Sequence, residues 1–167
     1  MSGQTLLTLG GFTILSLLTL NANRLILDSF QGQLQTRQVV AAIAQANSLL
    51  EEIQSKAFDQ VVSSNSAGGK VNQNKNKKPS DLTPPPLGPE SGEHYPFNDV
   101  DDYNGYHCKA WNPLFADSLS LSATVFYVNS SDPSQQASTQ TSLKKVVVRV
   151  FAAGMADTLA IQQVLYQ

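Results

Sequence analysis

The chain begins without charge and is nearly devoid of cysteine. Residues 1–23 carry no ionisable side chain, and the first is Arg24. Cys108 is the sole cysteine, which excludes an intrachain disulfide and a cysteine-built metal cage. Charged residues make up only 14% of the sequence, well under the roughly 25% of ordinary soluble domains. A net charge of −2 gives no electrostatic attraction for nucleic acid. No proline precedes Pro79. The sequence has no G-x-S-x-G, no Walker loop and no dinucleotide fingerprint, and His94 and His107 share no metal-ligand spacing. Nothing in it points to an enzyme.

The uncharged start is rich in Leu, Ile, Phe, Thr and Gly. From Leu6 through Leu27 the apolar reach is about 20 residues, the length that crosses the hydrocarbon core of a bilayer as a helix. Three readings compete. A secretory signal peptide lacks support, because there is no basic n-region and no small-x-small cleavage site before Arg24. A buried core helix is the second. A membrane-inserted helix is favoured, because nothing downstream can cover so long an apolar rod.

Asp28 to Phe58 reads as the amphipathic continuation of that helix, with Val39, Ile43, Ala46, Leu50, Ile53 and Ala57 on a heptad-like seam. The expected organisation is a long helix over 1–58, a Pro/Ser/Asn/Lys-rich loop over 59–96 and an antiparallel β head over 97–167. The loop holds Lys70, Lys75, Lys77 and Lys78, read as a solvated tip, and Pro84-Pro85-Pro86, read as a stiff extended spacer. Beyond it the period becomes two. Leu119, Leu121, Ala123, Val125 and Tyr127 share one face of a strand, and Val146, Val148 and Val150 share one face of the next. Thr158 to Gln167 is a third extended run. The fold class is α+β, a long N-terminal helix with a transmembrane first half, its second half covering one face of a small antiparallel sheet.

The stretch "NDVDDYNGY", Asn98 to Tyr106, resembles a calcium loop. With Gly105 at the sixth position, Asp102 and Asn104 fall correctly, but Val100 and Trp111 stand where carboxylates are required. The EF-hand is therefore excluded, and a non-standard oxygen site for calcium on Asp99, Asp101 and Asp102 remains the second reading. The first is a structural turn, in which aspartates bond nearby backbone N–H groups, glycine supplies a positive φ and tyrosines anchor the bend. Cys108 reads as a small buried filler, on the opposite face from His107. Asn129-Ser-Ser131 fits the glycosylation acceptor pattern.

Taken together, an apolar helix running into an amphipathic one, a variable loop and a small sheet resemble the bacterial type IV pilins and type II secretion pseudopilins. "GFTILS", from Gly11 to Ser16, is similar to the prepilin processing motif, in which cleavage follows the glycine and phenylalanine becomes the first mature residue. "AIAQANSLLEEIQSKAFDQ" is similar to the end of the helix in minor pilins. "FNDVDDYNGY" resembles the aspartate-rich turn of minor pilins, those of the mannose-sensitive haemagglutinin pilus included. The chain departs from the pattern in two places. Ser16 stands where the family has glutamate at the fifth mature position, and Met1 to Gly11 has no lysine or arginine.

The resemblance implies a structural subunit of a pilus-like or pseudopilus filament, with processing at Gly11 and Phe12. It would sit in the inner membrane before assembly and then in a cell-surface or periplasmic filament. The implied partners are other pilin-like subunits, the inner membrane, a prepilin peptidase and the assembly machinery. Leu6, Leu7, Leu9, Phe12, Ile14, Leu15, Leu17, Leu18, Leu20, Leu25, Ile26 and Leu27 are the residues assigned to membrane insertion and filament packing. The alternative is a single-pass, membrane-anchored extracytoplasmic binding module that forms no filament.

Overall fold

The computed structural model describes residues 2–63, 77–115, 117–153, 155 and 157–167. The chain divides into two compact units, one ending at Val39 and the other running from Val40 to Gln167. The helix α1, Ser2–Gln54, contributes to both. In the first unit it is the whole structure. In the second it lies against a four-stranded antiparallel sheet, an α+β arrangement.

The sheet is a meander in the order β1 (His107–Asn112), β2 (Asp117–Tyr127), β3 (Leu143–Phe151) and β4 (Leu159–Tyr166). Three strands are legible in the sequence; β1 is the addition. Its six residues, "HCKAWN", contain no β-branched side chain and one strand-favouring aromatic, Trp111, so propensity gives little signal. Pairing supplies what propensity lacks, because Cys108 sits opposite Leu121 and Trp111 opposite Ser118. The register aligns apolar rows across the sheet. Cys108, Leu121, Val150 and Leu159 form one, and Ala123, Val148 and Ile161 another. The expected inward faces hold: Leu119, Leu121, Ala123, Val125 and Tyr127 are buried on β2, and Val146, Val148 and Val150 on β3. Cys108 is half-buried against this core rather than fully enclosed, and it faces inward while His107 is exposed.

Two features of the helix differ from expectation. Its buried stripe is Ala42, Ala46, Leu49, Leu50 and Ile53, whereas Val39 and Ile43 stay 39% and 38% exposed. The stripe begins on the two small residues and continues through Leu49, Leu50 and Ile53, while Val39 and Ile43 fall on its flank. The helix also ends at Gln54 and not near Phe58. Ala57 has left it to pair with the turn: its N–H donates to the Asn98 carbonyl at 3.4 Å, and Val100 N–H donates to the Ala57 carbonyl at 3.0 Å.

The proline-rich segment is more than a spacer. Leu82 and Leu87 flank the three prolines and are 3% and 7% exposed within the head's core. Lys78 is exposed and Lys77 half-buried, while Lys70 and Lys75 fall outside the described residues.

Candidate functional site

Two places are candidates for function: the first unit's surface and the aspartate-rich turn. In the first unit, the twelve apolar residues assigned to insertion are all exposed, from 53% at Leu20 to 80% at Leu7. At 100° per residue, Leu18, Leu15, Phe12, Leu9, Leu17 and Ile14 follow one another right round the helix axis. The surface is therefore apolar on every side, with no stripe to bury against a single partner.

Four hydroxyls of this segment bond back into their own helix. Thr8 Oγ1 donates to the Thr5 carbonyl at 2.9 Å, Thr13 Oγ1 to Gly10 at 2.8 Å, Ser16 Oγ to Phe12 at 2.8 Å and Thr19 Oγ1 to Leu15 at 2.9 Å. A hydroxyl bonded back to its own helix presents hydrocarbon outward, which is what a lipid or helix-packed environment requires. Ser16 thus keeps its polar group within the helix. Gly11 and Phe12 lie in unbroken helix, and a Cβ added at Gly10 or Gly11 would meet nothing within 4 Å. By length and composition this helix is able to cross a membrane.

The turn at 98–106 is built from its own carboxylates. Asp101–Tyr103 forms one turn of 3₁₀ helix. Asp99 Oδ1 accepts the N–H of Asp101 at 2.9 Å, and Asp102 Oδ2 accepts those of Asn98 at 3.3 Å and Asp99 at 3.2 Å. Gly105 takes φ +82°, the left-handed conformation that favours glycine, and its N–H donates to the Ala123 carbonyl at 3.1 Å. Asn104 joins three parts of the head. Its amide donates to the Leu87 carbonyl at 2.8 Å, and its Oδ1 accepts from Val125 N–H of β2 at 3.0 Å. Tyr103 is fully buried and donates from its hydroxyl to Glu52 of α1 at 2.7 Å. Its ring meets Phe97 edge-on at 5.0 Å.

Asp99, Asp101 and Asp102 do not converge on a common point. Asp101 Oδ1 accepts from the Lys144 ammonium, which also donates to Asp59 Oδ2 at 2.9 Å and to the Phe58 carbonyl at 2.7 Å. Lys144, Asp59 and Asp101 are all fully buried. Asp102 turns the other way, toward Glu90 and Glu93, and the three carboxylates place oxygens within 4.8 Å of one another. Among the described residues, that trio is where a hard, oxygen-preferring cation would be held. Glu90 and Glu93 were not foreseen, because they lie in the proline-rich segment with no ligand spacing to mark them.

The electrostatics divide these acids. Burial works to raise Asp59, but the Lys144 charge and hydrogen bond outweigh it and hold the carboxyl below its ordinary range, helped by backbone donors at Thr83 and Val61. Burial pushes Asp99 up to about 8, with Asp101 and Asp102 adding like-charge repulsion. Burial raises Asp101 to about 7 against the pull of Lys144. Glu93 rises to about 7, first through its hydrogen bond with Glu90. The inward lysine on β3 was also missed: the alternation that marks Val146, Val148 and Val150 as core puts Lys144 on the same face.

No protein family, curated protein or solved structure matches this chain. A long apolar N-terminal helix with a small antiparallel sheet is nevertheless an arrangement compatible with a pilin-like fold.

Proposed function

We propose that the chain is a structural subunit of a type IV pilus-like or pseudopilus filament. Its N-terminal helix is held in the inner membrane before assembly and packed among like helices afterwards, with the β head outward. One observation carries the reading: a helical surface apolar on all sides, uncharged through residue 23, whose hydroxyls bond back into their own helix. Such a surface gains from removal from water on every side, and lipid or a bundle of neighbouring helices provides that. The "GFTILS" segment supports processing after Gly11, which would start the mature helix at Phe12 with its apolar run intact.

Labelled protein imaged by negative stain on native cell surfaces tests the reading. Periodic labelling along fibres is expected. Diffuse labelling of the envelope would instead favour a membrane-anchored binding module.

A further inference from the structure

Lys144 brings an amine nitrogen, a carboxyl electrophile and a third group able to move a proton together in one place closed to bulk solvent. Its Nζ contacts Asp101 Oδ1 and lies 2.9 Å from Asp59 Oδ2, and all three side chains are fully buried. The rings of Phe58 and Tyr127 close round the ammonium at 4.5 and 5.1 Å to their centroids. Asp59 is fixed in turn. Thr83 N–H and Oγ1 and the Tyr127 hydroxyl donate to its oxygens, at 3.0 to 3.3 Å. Asp101 is anchored at Oδ1, and its buried Oδ2 has no hydrogen-bond partner among the described residues.

We propose that Lys144 and Asp101 condense into an intramolecular isopeptide bond, with Asp59 as the proton shuttle. The ammonium passes one proton to the Asp101 carboxylate, leaving a neutral amine beside a neutral acid. The amine lone pair attacks Cγ of Asp101. Asp59 accepts a second proton from the nitrogen and returns it to the departing oxygen. The Nζ–Cγ bond forms, one Cγ–O bond breaks, and that oxygen leaves as water with two of the three ammonium protons. Asp59 ends as it began, and no oxidant or cofactor is consumed. Exclusion of water favours the amide in two ways. It removes the co-product's bulk reservoir from the site, and it replaces a buried ammonium and a buried carboxylate with one neutral amide, while Asp59 keeps the Thr83 and Tyr127 donors.

Fixed geometry provides the rate. Amine and carboxyl are held in contact by residues 43 apart in sequence, which turns a bimolecular condensation into a unimolecular one. The product would bolt β3 to the 3₁₀ turn and close a loop containing β1 and β2. A head so closed could not be drawn out past that point by tension, with or without a filament around it.

The test is peptide mapping of the purified full-length chain after denaturation and trypsin digestion. The expected product is one branched peptide that joins the Asp101 and Lys144 segments and weighs one water less than their sum. Cleavage after Lys144 should be absent. Recovery of the two segments as separate, unmodified peptides would overturn the proposal and leave a buried ion triad. That readout on the wild-type chain decides by itself and needs no variant to fold. Lys144→Arg should abolish the branched peptide. Asp59→Asn should reduce its yield at least tenfold in protein that retains native circular dichroism, and undiminished yield would overturn the role given to Asp59.

Discussion

Replacing Leu15 and Leu18 together with aspartate should detach the chain from the membrane while leaving the head folded. Both side chains are 61% exposed on the first unit, one helical turn apart, near the middle of the run from Leu6 to Leu27. At a bilayer's centre a leucine contributes about −0.5 kcal/mol to insertion and an aspartate about +3 kcal/mol, so the pair shifts the balance by about 7 kcal/mol. That is about five orders of magnitude in partition, since each 1.4 kcal/mol is tenfold. Fractionation with an alkaline wash reads the retention. Ile53→Ala is the converse control. Ile53 is fully buried in the head, so its truncation should cost about 2–5 kcal/mol of head stability. It should not move the chain out of the membrane fraction. Full retention of the double variant after washing would refute the role assigned to the apolar surface.

Further outcomes concern the turn and its acids. Gly105→Ala should lower head stability by about 1–2 kcal/mol, the cost of a left-handed L-residue; its added Cβ meets nothing within 4 Å, so the loss is backbone strain alone. Thermal melts would show it as a lowered midpoint. Asp99 sets a pH dependence. Its folded-state pKa of about 8 lies above the ordinary 3.8, so the folded chain holds this proton more tightly than the unfolded one. Stability from this group is present at low pH and is lost as pH rises from about 4 through about 8. Asp59, held low, acts oppositely and only below its ordinary value of 3.8. Melting temperature should therefore fall across the neutral range. Asp101 and Glu93, each raised to about 7, add to the fall. Asp99→Asn keeps the acceptor for Asp101 N–H and should lessen the fall; an unchanged slope would count against the assignment.

Much of the head was legible because its strands follow the simple rule of alternation. Leu119 to Tyr127 and Val146 to Val150 declare their inward faces by period two alone. The turn was legible because Gly105 and the aspartates have few uses other than a tight bend. What escaped depends on the tertiary partner. β1 becomes a strand through its pairing with β2, not through its composition. The helix stripe takes in Ala42 and Ala46 and leaves Val39 and Ile43 on its flank, a choice set by the tertiary partner rather than by side-chain hydrophobicity. Lys144 escaped as a buried cation, since its counter-charges come from Asp59 and Asp101, 85 and 43 residues away. Glu90 and Glu93 meet Asp102 only because Leu82 and Leu87 draw the proline-rich segment onto the core.

The central claim is that the apolar helix is the packing element of a filament. Mass spectrometry of the chain's N-terminus, on material sheared from cell surfaces and pelleted as fibres, tests it most directly. The account predicts that the chain is present in the fibres and begins at Phe12. Fibres lacking the chain, with all of it in the membrane fraction and Gly11–Phe12 uncut, would contradict it.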